Sequence, residues 1–279
     1  MRFWGMFRFT ILETVRKGTL IFYFAVATFI LLLLTLGISR SPNDPELITM
    51  FGIPFGGKPI GDLGLVEFLL YSLHHLSVQF ILLFGIFGVS GLIPDMLEKG
   101  TIDLFLSKPL TRMELLLSRS FGATAGIGLN LVYFFAGVWA VFGLKIGVWH
   151  WAFLSSLVYV FFAFACFYSV VTIVGLITRS TGFTVLISFC FLFISWGLEV
   201  REHGLYLLWN NTAYHRLLDA LYYLTPQLNA MLENSSRVII KAAFFPGIAN
   251  FTIMPYLYSL GSAVLLYALS VWYFSRRDF

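Results

Sequence analysis

Six runs of this sequence are apolar for about as long as a helix needs to cross a lipid bilayer. They lie at Thr19–Ile38, Val66–Ile93, Leu115–Leu144, Trp149–Ile177, Gly182–Leu198 and Ile253–Phe274. A helix rising about 1.5 Å per residue covers a hydrocarbon core of about 30 Å in roughly 20 residues. Inside lipid the backbone must satisfy its own polar groups, which leaves only helices or closed barrels. Barrel strands alternate apolar and polar residues over segments of about ten, whereas these runs are continuous. The chain therefore reads as an all-α polytopic membrane protein with six transmembrane helices. Composition agrees with that: 59% of residues are hydrophobic and 11% charged, against about 25% charged in an ordinary soluble domain. A soluble enzyme, a disordered tail and a nucleic-acid binder built on basic patches are excluded. Cys166 and Cys190 form no CxxC pair and are too few for a disulfide framework.

Six spans put both termini on one side, and Lys and Arg then decide which side. With the N-terminus inside, the inner set is Arg2, Arg8, Arg16, Lys17, Lys99, Lys108, Arg112, Arg119, Arg179, Arg276 and Arg277. The two short outer loops hold only Arg40, Lys58 and Lys145. The long segment 199–252 adds Arg201, Arg216, Arg237 and Lys241, but long loops weigh little in this rule. Both termini are thus expected in the cytoplasm. Residues 1–18 do not read as a cleaved signal peptide. Phe3, Trp4, Phe7, Ile11, Leu12 and Val15 are apolar and Arg8, Glu13, Arg16 and Lys17 polar, the pattern of a helix lying in the interface.

The most informative text is the inner loop after span two, PDMLEKGTIDLFLSKPLTRMELLLSR, residues 94–119. Its four acids balance its four bases, and a loop that only sets topology needs the bases alone. Gly100 suits the end of a preceding helix, Thr101 a new cap, and Asp103 a first turn, where the helix dipole favours an anion. Pro109 stops continuation and keeps Lys108 out of the α region. A short lateral helix is therefore expected over 102–107, with Ile102, Phe105 and Leu106 on one face. Thr111 and Glu114 spell a T-x-x-E capping box at the start of span three.

Glu98-x-Gly100-Thr101 followed by Leu106-Ser107-Lys108-Pro109-x-Thr111-Arg112 resembles the signature of the permease subunits of type-2 ABC exporters. The surroundings are similar too: an interfacial helix with Glu13 and Arg16, six spans, a large outer segment between spans five and six, and a basic tail Arg276-Arg277-Asp278-Phe279. The resemblance implies one permease domain over residues 1–279, with a cytoplasmic coupling loop at 94–114. It makes the lateral helix a coupling helix that seats in a groove of a cytosolic ABC ATPase subunit. Glu98, Gly100, Thr101, Ile102, Asp103, Phe105, Lys108, Pro109 and Arg112 are then the ATPase-coupling residues. It further implies a second permease, identical or paralogous, lipid around both, a place in the inner or plasma membrane, and no nucleic-acid partner. The chain would be no enzyme and would carry no catalytic residue, metal or cofactor.

Gly52-Ile-Pro-Phe-Gly56-Gly57-Lys58-Pro59 nearly spells a Walker A loop, but Pro59 stands where a magnesium-binding hydroxyl belongs and no strand–helix frame surrounds it. It reads as a turn cluster, so nucleotide chemistry is expected on a separate polypeptide. His74 and His75 are adjacent and point about 100° apart on a helix, which suits packing better than a shared metal. Glu67 and Glu199 sit at span ends, and Gln79 and Asn130 are the main uncharged polar residues at depth. Ion-coupled carriers usually hold an ionisable group near mid-membrane, so a secondary carrier is a weaker alternative, as is a non-transporting scaffold or sensor of the same fold. Ser118, Gly122 and Gly126 form a stripe that permits close helix approach, either within one subunit or between two. In segment 199–252, the apolar stretches Leu205–Trp209, Leu217–Leu224 and Val238–Ile248 are too short to cross and are expected to be re-entrant or interfacial helices.

Overall fold

The computed structural model describes residues 2–16, 18–40, 47–54, 63–106, 110–209, 211–240 and 251–277. In chain order these form α1 (Arg2–Arg16), α2 (Thr19–Gly37), β1 (Ile38–Arg40), β2 (Ile48–Met50), β3 (Ile53–Pro54) and α3 (Leu63–Val89). There follow α4 (Leu92–Met96), α5 (Thr101–Leu106), α6 (Arg112–Ile146), α7 (Trp151–Thr178) and α8 (Thr181–Glu199). The rest are α9 (Leu205–Leu208), α10 (Thr212–Leu224), α11 (Leu228–Arg237) and α12 (Met254–Arg276). Six helices among the described residues are long and apolar enough to span: α2, α3 with α4, α6, α7, α8 and α12. They are the six runs read from the sequence, in the same order. In its most apolar stretch α7 is 67% buried within the protein, against 22% for α8. So α7 is the axis of the bundle, and α8 lies at its edge.

Local chemistry sets the ends of these helices. Thr111 caps α6, its side chain accepting from the Glu114 N–H at 3.1 Å while the Thr111 N–H donates to the Glu114 carboxylate at 2.9 Å. This is the reciprocal box expected from the sequence. Gly147 ends α6 in the left-handed region, φ +80°, with its N–H on Gly143 O at 3.0 Å. His150 Nδ1 then accepts from the Phe153 N–H and caps α7, while its Nε2 lies 3.5 Å from the buried Glu67 carboxylate. Span two is not one straight helix. It stops at Val89, turns at Ser90–Gly91, and resumes as the buried α4 beneath α7. A Cβ on Gly91 would lie 3.3 Å from both Asp95 and Thr181, side chains that hydrogen-bond to each other at 3.1 Å.

At one end of the bundle lies a three-stranded antiparallel sheet, β1-β2-β3, that the all-helical expectation missed. Ile38 pairs with Met50 and Arg40 with Ile48. Phe51 and Gly52 both adopt positive φ between β2 and β3, as a two-residue hairpin turn requires. Arg40 reaches across to Ile146 O at 2.5 Å and fastens the sheet to the end of α6. Of the near-Walker text, only residues 52–54 are described; Gly56, Gly57, Lys58 and Pro59 lie outside the described residues.

The 199–252 segment shares that end. Buried Arg201 holds it together: Nε donates to Asp219 at 2.8 Å, Nη1 to Leu198 O at 3.1 Å, and the guanidinium lies 3.9 Å from the Tyr222 ring centroid. The Tyr206 hydroxyl donates to the same Asp219 oxygen at 2.6 Å. Those donations, from Tyr206 and then Arg201, hold the Asp219 carboxyl below the usual carboxylate range. α9 and α10 fall on the first two expected stretches. Of the third expected stretch, Val238–Ile248, only 238–240 are described, and a helix that the sequence reading did not expect precedes it. That helix is α11, which ends at Arg237; 238–240 form a turn, and 241–250 lie outside the described residues. α11 buries Leu228, Met231 and Leu232 together with Asn234, Ser235 and Ser236, wedged among α3, α7 and α8. His74 meets it there, with Nε2 3.4 Å from Ser235 Oγ and its ring edge-on to Phe135 and Phe153. His75 is exposed and stacks on Tyr71. The two imidazoles diverge, as adjacent helical positions dictate.

A candidate coupling site

The opposite end of the bundle gathers α1, α4, α5, the start of α6 and the ends of α7 and α12 around one apolar cluster. It includes Met6, Met96, Ile102, Phe105, Leu115, Leu176 and Phe274. The short lateral helix is present as α5, running from Thr101 to Leu106. The N–H groups of Thr101 and Ile102 both donate to Glu98 O at 3.1 Å, so the first turn of α5 closes on Glu98. Gly100 has φ +84°, a value that L side chains rarely adopt. The sequence reading placed Gly100 at the end of the preceding helix. Instead α4 stops at Met96 with Leu97 as its cap, and Gly100 turns the chain into α5, four residues later. Helix and cap shift with it: Thr101 is the first helical residue.

The orientation of α5 divides the expected coupling residues into two groups. Ile102 and Phe105 are buried and anchor the helix to the protein. Glu98, Lys99, Gly100 and Asp103 are exposed. Arg112 points to neither surface; its Nη1 donates to the carbonyls of Phe274 and Ser275 at 3.2 Å, and also to that of Arg277. It thereby places a cation on the unsatisfied C-terminal carbonyls of α12, where the helix dipole favours positive charge. Lys108 and Pro109 lie outside the described residues.

Beneath α5 is a residue that the sequence reading counted only as a topogenic base. Arg119 is 1% exposed, seven residues into α6. Its Nη1 donates to the Glu13 carboxylate of α1, and its guanidinium lies 5.0 Å from the Phe105 ring centroid and 5.9 Å from that of Phe9. One cation therefore touches three helices, α1, α5 and α6 by its own backbone. Its signal was present in the text: an arginine following Leu115-Leu116-Leu117 has to find an anion, and the N-terminal helix supplies Glu13.

The small-residue stripe serves the same junction. A Cβ on Gly122 would come within 2.7 Å of Thr10 Cβ and 3.1 Å of Phe7 O; one on Gly126 would come within 3.1 Å of Thr14. The stripe is thus the seat of α1 on α6, within the subunit. The face that α1 turns to the protein is Met6, Thr10 and Thr14, not the apolar set that the sequence emphasised. Trp4, Leu12 and Val15 stay exposed.

A family model described as ABC-2 family transporter protein matches residues 72–279, well over half of the chain. The match begins within α3 and takes in α4, α5 and the four remaining spans. A search of curated proteins finds no match.

Proposed function

Since this chain belongs to the ABC-2 family of transporter proteins and is a multi-pass membrane permease, we propose that it is the membrane subunit of an ATP-driven exporter, engaged by a separate cytosolic ATPase at α5. The observation that carries the reading is the two-sidedness of α5. Its buried side, Ile102 and Phe105, is fixed to Arg119 and the surrounding cluster, and its exposed side presents Glu98, Lys99 and Asp103. A partner docking on the exposed side pushes on a helix that is not free to slide. Displacement of α5 passes through Phe105 and Arg119 to α6 and α1, and the Arg112 clasp carries it to α12.

The remaining parts of the proposal follow. Residues 1–279 act as one permease domain and pair with a second permease, identical or paralogous, in the inner or plasma membrane. The α5 end faces the cytoplasm, with both termini, because the basic residues of the short loops concentrate there. Closure of two ATPases brings two α5 helices together and shifts the spans between inward- and outward-open states. The chain performs no hydrolysis itself.

The test is a pair of variants in the complex with its ATPase. Glu98→Ala combined with Asp103→Ala weakens co-purification of the ATPase, whereas Phe105→Ala leaves docking and lowers the stimulation of ATP turnover. Truncating an interface anchor costs about 1–3 kcal/mol, a change of roughly 5- to 150-fold in affinity. Unchanged co-purification and turnover in all three positions would remove α5 from the coupling path.

A further inference from the structure

A cavity of about 400 Å³ is recessed between α2, α3 and α6. Its walls are almost wholly apolar, with Ala27, Leu76 and Phe84 among them, and no Asp, Glu, Lys, Arg or His among the described residues lines it. One amide breaks the pattern. Asn130 is 6% exposed, and no acceptor among the described residues reaches its Nδ2. A buried polar group in a membrane span is costly when unpaired, and such groups mark places where something else completes the pairing. Small-molecule sites have this form: volumes of about 300–1,000 Å³, apolar walls, and a few placed polar groups.

The polar groups define what fits. The Tyr23 hydroxyl donates to Phe84 O and the Ser77 hydroxyl to Leu73 O. Each hydroxyl has committed its only proton to the backbone; Tyr23 Oη is also packed on Gly88, and Ser77 is left with lone pairs to offer. The Asn130 amide carries both an acceptor oxygen and N–H donors. A ligand hydroxyl matches both kinds of partner, while an ionised group would lie in the cavity without a counter-charge. Register supports a shared level for two of the three. Tyr133 of α6 meets Thr28 by a 2.9 Å hydroxyl contact and Phe24 by rings 5.3 Å apart, so Asn130, three residues earlier, falls near the level of Tyr23. From Phe84 to Leu73 the α3 wall then runs for about 16 Å at about 1.5 Å per residue.

We infer that this cavity binds an uncharged, monohydroxy lipophile, with its hydroxyl on Asn130 and its apolar body along α3. The site is independent of how ATP is coupled, and its test needs no ATPase. The full chain is reconstituted in palmitoyl-oleoyl phosphatidylcholine vesicles and exposed to a diazirine-bearing long-chain alcohol or to the matching diazirine alkane. Peptides of α2, α3 and α6 should take up the alcohol about fivefold more than the alkane, the worth of one net hydrogen bond. Asn130→Leu should abolish that preference while leaving alkane labelling in place, and Leu76→Trp, which fills the cavity, should reduce both. Equal labelling of the wild type by the two probes would overturn the inference, as would a preference that persists in Asn130→Leu. Absence of labelling by either probe, with Leu76→Cys cross-linking between copies, would assign the cavity to a second permease instead and equally overturn it.

Discussion

Removing the carboxylate from Glu13 tests the junction beneath α5 most directly. Arg119 has a side chain only 2% exposed, and Glu13 one of 21%. Glu13→Gln keeps the shape and leaves the guanidinium facing a neutral amide. Breaking a buried pair by taking one partner costs about 3–5 kcal/mol. The partial exposure of Glu13 lets water reach the vacancy, so the lower end, about 3 kcal/mol, is expected here. That is more than a hundredfold in the folded-to-unfolded ratio, at about 1.4 kcal/mol per factor of ten. The assay is thermal or denaturant unfolding in detergent micelles, read from α1 by a probe at exposed Arg8 so that undocking of α1 is separated from global unfolding. Arg119→Met is expected to cost less, and Glu13→Gln with Arg119→Met less than the sum, since the orphan charge is gone. A Glu13→Gln cost below about 0.5 kcal/mol, the level of an exposed pair, would refute the reasoning. So would strict additivity in the cycle, because the two groups would then not sense each other.

Three further outcomes follow from the geometry. Gly122→Leu drives a side chain into Thr10 and the Phe7 carbonyl and should loosen α1 by about 1–3 kcal/mol, seen as protease access between α1 and α2; Gly261→Leu, where a Cβ meets nothing within 4 Å, should not. Because the folded Asp219 carboxyl sits below its ordinary value of 3.8, its contribution is present above that value and is lost as pH falls through the lower folded one. Hydrogen exchange should show α10 losing protection only at the acid end, modestly since Asp219 is 40% exposed, and a profile that instead changes near neutrality would contradict the assignment. Cysteines introduced at Asp103 and Arg276 should react only in permeabilised cells and one at Asn211 in intact cells, and external labelling of Asp103 would invert the proposed orientation.

Most of the scaffold was legible because lipid imposes one strong rule on sequence. A span must be long, apolar and helical, and all six were found within a few residues of their ends. The Thr111–Glu114 box was equally legible, since its chemistry is contained in four residues. What escaped depended on partners distant in sequence. α11 carries Asn234, Ser235 and Ser236 into the interior, and a search for apolar runs passes over it in favour of the more apolar Val238–Ile248. Its polar face is tolerated because Ser235 and Ser236 donate to Leu232 O and Glu233 O at 2.7 Å, Asn234 accepts from the Thr252 N–H at 3.1 Å, and His74 of α3 lies beside Ser235. The β1-β2-β3 sheet escaped because strands of two or three residues are too short to show an alternation. In the loop 94–114 the short helix was legible but not the directions of its residues. Spacing puts Ile102 and Phe105 on one face, but only the packing of α1 and α6 turns that face inward, and Arg112 is taken by the end of α12, which is distant in sequence.

α6 is 35 residues of unbroken helix without proline, about 52 Å at about 1.5 Å per residue. At one end Arg119 and Arg112 tie it to α1, α5 and α12; at the other, Ile146 O is held by Arg40. Mechanically it is a beam without a hinge, and a torque applied at its foot is not absorbed by bending. Under the proposed coupling, a rigid α6 tilted at its foot would swing its head the opposite way. A tilt of about 5° moves the two ends about 4–5 Å relative to each other over that length. On that proposal the loops at the far end of α6 would register a push from α5 with no signal relayed residue by residue, and stiffness rather than flexibility becomes the property that a loss-of-function substitution in mid-helix would compromise.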